Sequence, residues 1–225
     1  MLETFKNAWR IEDLRKKILY TLIMLLIYRI GTSFIPIAGM DVAAIKQTVE
    51  GSDILGFLNM ITGGSLAGFT IFAVGISPYI TSSIVMQLLT FAIPALERMS
   101  KEGGEEGREK IKRITRYVGV LLALIMSIGM VMSLRSYMIT TDLLSKITMI
   151  LTLTAGACIV MWMGEKITEK GIGNGVSLII FVGIVARLPV TVWSFLQNIF
   201  AGEVNAWALV PIVVIYVAIV AGVVF

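Results

Sequence analysis

The chain is dominated by apolar runs close to the length an α-helix needs to cross the hydrocarbon of a bilayer, about 20 residues. Six such segments can be marked, at 18–37, 71–96, 117–134, 147–163, 171–188 and 207–225, the fifth with a glycine-rich approach. A soluble core has no use for so many. Of the 225 residues, 57% are hydrophobic and 15% charged, against roughly half and a quarter in soluble domains. Backbone groups in lipid must satisfy one another within a helix or a closed barrel. The expected fold is therefore all-α, a polytopic membrane helix bundle with six transmembrane helices in a single domain, 1–225. The first segment continues past Arg29 to Pro36 with no small-residue cleavage pattern, so it reads as a retained span and not as a signal peptide.

Lysine and arginine mark the cytoplasmic side of such a bundle. They crowd the arm 1–17 (Lys6, Arg10, Arg15, Lys16, Lys17), the stretch 97–116 and the approach to the fifth span (Lys166, Lys170). The other side keeps only Lys46, Arg135, Lys146 and Arg187. A cytoplasmic N-terminus follows, with 97–116 as a basic cytoplasmic loop. Within the arm, Leu2, Phe5 and Trp9 fall near one helical face beside basic residues, which fits a helix lying at the headgroups as well as a solvated lead-in. Topology thus accounts for the net charge of +4. Nucleic acid is not implied, because no stacking aromatics are interleaved with the basic residues.

Several chemistries are excluded by residue type. Histidine is absent and Cys158 is the single cysteine, so the usual zinc motifs, disulfides and serine–histidine arrangements are unavailable. No aspartate lies inside a span. Neither an enzyme, nor a metal, nor a cofactor is expected. The glycines of EKGIGNGVSLIIF, 169–181, could be taken for a phosphate-cradling loop, but that needs a buried strand before them and an acidic residue some 20 positions on. A charged turn precedes them, and the next carboxylate is Glu203.

The apolar pattern breaks in informative places. DILGFLNMITGGSLAG, 53–68, is too short to cross a bilayer and carries Gly56, Gly63, Gly64 and Gly68 as flexible points. It is an outer loop, or a re-entrant half-helix, which would imply a cavity, since irregular backbone at membrane depth must be buried or line water. The second span holds Pro78 in its interior and the hydroxyls of Ser77, Thr81, Ser82 and Ser83. Ile76 and Ile80, four apart, share one face. Gln87 sits where lipid would reject it, marking a protein or water contact or helix–helix adhesion. Arg29, about 18 Å along the axis from Lys17, is expected to snorkel towards the outer surface. On these features alone a channel and a small-solute transporter both stand.

Three longer stretches narrow the choice. MWMGEKITEKGIGNGVSLIIFVGIV (161–185), GISPYITSSIVMQLL (75–89) and KEGGEEGREKIKRITRY (101–117) resemble, in order and spacing, the fourth-to-fifth helix region, the second helix and the following basic loop of the SecY family of protein-translocon channel subunits. The resemblance runs from the N-terminal arm to Phe225. It implies the first five helices plus a sixth of a ten-helix protein made of two inverted halves, a partial inverted-repeat channel that passes unfolded secretory polypeptides and releases membrane segments sideways into lipid. By the same resemblance Ile76, Ile80 and Ile180 belong to an apolar pore ring. A re-entrant plug half-helix falls on 53–68, with Asp53, Ile54, Leu55, Phe57, Leu58, Asn59, Met60 and Ile61 in its body and Gly63, Gly64 and Gly68 near its hinge. Gln87 falls in the lateral gate. Gly171, Gly173, Asn174 and Gly175 form a turn at the cytoplasmic mouth, with Asn174 bonding to nearby backbone. Implied partners are the SecE and SecG subunits, the SecA motor ATPase, the ribosome, signal sequences, translocating polypeptides and membrane lipid, and the implied location is the bacterial plasma membrane. YRIGTSFIPIAGMD, 28–41, departs from the family, which has a shorter Arg-to-Pro spacing and a second proline at the place of Ala38. The second half is expected to be missing, since Phe225 closes an apolar run with no basic residue after it.

Overall fold

A computed structural model describes residues 11–187 except 102 and 141, and beyond them 189, 190, 192, 193, 197, 221 and 222. The chain divides into two compact units, Met1–Ile184 and Val185–Phe225. In the second, the described residues from 189 onward are helical, and Val190, Val192 and Trp193 are exposed. The expected sixth span, 207–225, lies outside the described residues apart from 221 and 222, as do residues 1–10 of the arm.

The first unit is helical throughout its described length apart from turns and two isolated β-bridges. Helix α1, Glu12–Phe34, begins earlier than the expected 18 and takes up Arg15, Lys16 and Lys17. Glu12 and Asp13 in its first turn complement the positive end of the helix dipole. It stops before 37 because Pro36 disfavours helical backbone at Ile35, which takes φ −119° and ψ 73°. Two short helices follow. Helix α2, Val42–Glu50, was not legible as a span because it is only nine residues long; the Asp41 carboxylate caps it by accepting from Ala43 and Ala44, both at 3.1 Å. Helix α3, Asp53–Ile61, is capped by Ser52 and gives way to turns from Thr62.

The expected second span, 71–96, is not one helix. Residues 71–76 are turns, with Gly75 at φ +63°, and helix α4 runs Ser77–Ala92. Pro78 therefore stands in the first turn, where its missing N–H has no helical partner to lose. Pro94 then opens helix α5, Pro94–Lys101, bent from α4 by 101°. The stretch 97–116, expected as a loop, is helical up to Lys101 and again from Gly104: helix α6, Gly104–Ser133, takes in most of it and continues through the expected third span. Ion pairs one turn apart, such as Lys101–Glu97 at 2.6 Å, support polar helix that hydropathy does not register. A short 3-10 turn, Arg135–Tyr137, leads to helix α7, Leu143–Lys170, about two turns longer than 147–163 at its end. Helix α8, Gly175–Val185, starts after a turn at 171–174 that had been assigned to the fifth span.

Among the described residues, α1, α6 and α7 are each long and apolar enough to cross a membrane, and α4 with α5 makes a fourth if the bent pair counts as one span. The core gathers around α7. Towards its start, Leu153 and Ala157 pack with Ile45, Val49 and Phe69; towards its end, Val160 and Ile167 pack with Tyr28, Phe72 and Ile179. Residues 35–37 and 69–71 pair antiparallel, Ile37 N donating to Phe69 O at 2.9 Å and Ile71 N to Ile35 O at 3.1 Å.

Close approach of α7 to the turns 71–76 depends on Gly156, where an added Cβ would run into the Ile71 carbonyl. Gly156→Ala is expected to destabilise the protein by about 1–3 kcal/mol, the usual range for overpacking. Gly129→Ala, on α6 with nothing within 4 Å of its Cβ position, is the control and should be neutral or stabilising by about 0.5–1 kcal/mol. Thermal unfolding of the purified variants reads the difference, and equal stabilities would contradict the packing.

Candidate functional site

The three isoleucines singled out in the sequence meet in one apolar cluster, reached from two helices. Ile76 is 6% exposed at the N-cap of α4, and Ile80, one turn on, joins Ile180 of α8 as a partly buried neighbour. Ile80 N donates to Ile76 O at 3.2 Å, so the helical register fixes the first two on one face. Gly164 of α7 leaves room for Ile76: a Cβ there would stand 3.3 Å from Ile76 Cδ1. The site is an apolar convergence, which can exclude water and grip any apolar surface.

Next to it lies the segment 53–68. Helix α3 turns Ile54, Phe57 and Leu58 outwards, 75%, 63% and 44% exposed, and buries Asn59 at 1%. Asn59 Oδ1 accepts from Ala67 N at 3.0 Å, Thr62 Oγ1 donates to Asn59 O at 3.2 Å and Ser65 Oγ donates to Thr62 O at 2.9 Å, knotting the turns back onto the helix. Gly63 and Gly64 take left-handed backbone, φ +67° and +96°, a region that disfavours side chains. Leu55, Met60 and Ile61 are partly buried, as is Gly68, whose N–H donates to Gly64 O at 3.2 Å; Asp53 is exposed. Arg29 does not snorkel: Nη1 donates to Gly63 O at 2.7 Å.

Gln87 is exposed on α4 and lines a groove of about 410 Å³ with Tyr79, Ser83, Arg108 and Lys112. The glycine turn is built by close approach. A Cβ on Gly175 would run into the Gly164 carbonyl, one on Gly171 into the Thr21 hydroxyl, and Gly173 takes φ +66°. Asn174 Oδ1 accepts from Val176 N at 3.0 Å and Ser177 N at 3.3 Å, the N-cap of α8. Ile172 N donates to Thr21 Oγ1 at 3.1 Å, tying the turn to α1.

Sequence reasoning missed the charged seam between α6 and α7. Arg116 forms a two-pronged ion pair with Glu165, Nε lying 3.3 Å from Oε1 and Nη2 bonded to Oε2; the Glu165 side chain is 3% exposed and that of Arg116 49%. Beyond the last apolar turn of α7, hydrogen bonds from Lys166 and Lys112, at 2.7 and 3.0 Å, hold the Glu169 carboxyl down to about 2. A signal was present: acids and bases alternate in GEKITEK just past an apolar run, opposite the basic stretch.

A family model described as SecY matches residues 70–225. The chain is 44% identical over 214 residues to the protein translocase subunit SecY of Streptomyces scabiei, covering 88% of this chain and 48% of that protein. It is 42% identical to the subunit of the same name from Guillardia theta, covering 95% and 50%. The chain thus spans about half the length of the curated relatives it matches. Among solved structures, a protein conducting channel superposes with a TM-score of 0.68 at 21% identity, over 93% of this chain and 46% of that one. The canine channel of a ribosome-channel complex from the endoplasmic reticulum gives 0.64 at 21%, over 93% and 47%. At that identity the likeness is one of fold.

Proposed function

The chain belongs to the SecY family, and we propose on that premise that it forms the first half of a protein-conducting channel, with Ile76, Ile80 and Ile180 in its pore ring. The observation that carries the reading is the convergence of those three side chains from α4 and α8 on one apolar cluster. A collar of flexible apolar side chains dewets when empty and closes around a passing peptide of any sequence, limiting ion leak without reading the substrate. Segment 53–68 acts as the plug beside the ring, with Gly63, Gly64 and Gly68 near its hinge. Gln87 faces the lateral gate, through which apolar signal sequences partition into lipid by ordinary transfer energetics. The turn at Gly171, Gly173, Asn174 and Gly175 stands at the cytoplasmic mouth.

On this reading the protein lies in a bacterial plasma membrane with a cytoplasmic N-terminus. It works with SecE, SecG, a SecA motor or a ribosome, and the chain itself catalyses no reaction. The test places single cysteines at 76, 80 and 180 in a Cys158→Ala background of a protein carrying both halves, with a stalled secretory chain in transit. Crosslinks from all three positions are expected. If none forms while lipid-facing control positions behave, the cluster is packing and a small-solute transporter is the better account.

A further inference from the structure

A charged side chain within a membrane-spanning helix is costly and needs a partner, and Arg29 of α1 has one of an unusual kind. Its Nη1 donates at 2.7 Å to the carbonyl of Gly63, two residues past the last residue of α3. Helix C-termini carry unpaired carbonyls and partial negative charge, so a guanidinium there is both donor and counter-charge. The arginine is also steered from its own helix. Nη1 lies 3.5 Å from Thr32 Oγ1, and Thr32, 3% exposed, donates in turn to the Arg29 carbonyl at 2.9 Å.

The surrounding bonds tie this region to itself and to the wall. The bond from Ala67 N to Asn59 Oδ1 ties the turns to α3 across the Gly63–Gly64 joint, so 59–67 must travel together. Residues 69–71 are bonded to 35–37 through Ile37 N to Phe69 O and Ile71 N to Ile35 O, and back to the turns through Phe69 N to Leu66 O at 3.1 Å and Thr70 N to Ser65 O at 3.0 Å. At its inner end the body 53–67 meets the wall through Gly63 against Gly183 of α8, where a Cβ would stand 3.0 Å from the Gly183 Cα, through Thr62 beside Gly75, through Leu66 and Ala67 in the core, and through the Arg29 bond. The first three are packing contacts; the Arg29 bond is a charge-assisted hydrogen bond.

We propose that Arg29 is the latch of the plug: a positioning residue whose guanidinium holds the Gly63 carbonyl and keeps 53–67 seated, so that opening requires this bond to break. The proposal rests on reading 53–67 as the plug, and the test separates the two. A protein carrying both halves is reconstituted in planar bilayers as the parent, Arg29→Gln, Arg29→Lys, a deletion of 53–67, and the deletion combined with Arg29→Gln; resting ion conductance is measured.

Arg29→Gln is expected to raise resting conductance about ten- to a hundredfold, the equivalent of losing a hydrogen bond to a charged group. Arg29→Lys, which keeps charge and donor, should fall between it and the parent. In the deletion background Arg29→Gln should add nothing, because the latch has nothing left to hold. If the deletion raises conductance and Arg29→Gln does not, the latch is wrong and the plug stands. An equal further rise in the deleted protein makes Arg29 a general packing residue and also overturns the proposal. If the deletion itself changes nothing, the plug reading falls and the latch falls with it.

Discussion

Replacing Ile76, Ile80 and Ile180 together by serine, in a protein carrying both halves, is expected to raise resting ion conductance by roughly tenfold or more. Full shielding of an isoleucine from water is worth about 1.5–3 kcal/mol, and three hydroxyls in its place give water an anchoring point at each position of the collar. A change of about 1.4 kcal/mol in the dry-to-wet equilibrium already multiplies the wet population tenfold. The effect is separable from loss of fold. Ile76 is nearly buried and contributes to the core it shares with Phe72, Ile167 and Ile179, so serine there also weakens packing. A triple valine variant keeps the collar apolar while removing methylenes, and it should leak little more than the parent. Conductance that stays at the parent level in the serine variant would remove the ring assignment.

Most of the helical content was legible because apolar runs of membrane length have few alternatives. What hydropathy cannot see is where a run stops being helical. The segment IFAVGI, 71–76, is as apolar as the helix after it, yet it is a series of turns, because Gly75 takes left-handed backbone and Pro78 suits only a first turn. The converse error is 97–116. Its charges read as a loop, but lysine, arginine and glutamate are good helix formers; Lys101 and Glu97 pair one turn apart in α5, and Lys112 and Arg116 in the polar part of α6 pair with Glu169 and Glu165 of α7. Helix α2 escaped notice for want of length, although Asp41 ahead of Val42, Ile45 and Val49 is a capped amphipathic pattern.

The site was less legible than the fold. Isoleucine is everywhere in this chain, and nothing in its physical chemistry distinguishes Ile76, Ile80 and Ile180 from Ile84 or Ile125; the family resemblance picked them out. The fold brings the three to one cluster. Arg29 is the opposite case. Its oddity was plain in the sequence, but a bond to a backbone carbonyl 34 residues away leaves no residue-type signal at the other end, so the outer surface was the natural destination to assign it.

The Arg116–Glu165 pair leads to a second large effect with a distinctive sign pattern. Glu165 has almost no access to water and receives both prongs of the guanidinium. Removing Arg116 alone strands a carboxylate in the seam between α6 and α7; breaking a fully buried pair in this way costs about 3–5 kcal/mol. The half-exposed arginine side chain, at 49%, admits screening water, so Arg116→Leu should cost nearer about 1.5–3 kcal/mol. The double variant Arg116→Leu/Glu165→Leu removes the stranded charge as well as its partner, and apolar replacement of both members of a buried pair is often neutral. It should therefore recover most of the loss and be more stable than Arg116→Leu, although it carries one more substitution. Thermal unfolding of the four corners of the cycle in detergent measures the coupling. Additive losses would mean that the pair contributes no more than an exposed bridge, and that α6 is held to α7 by apolar packing alone. A recovered double variant would instead show that the two side chains are strongly coupled: the loss in Arg116→Leu comes from the stranded Glu165 carboxylate, and an apolar pair can fill the seam in place of the ion pair.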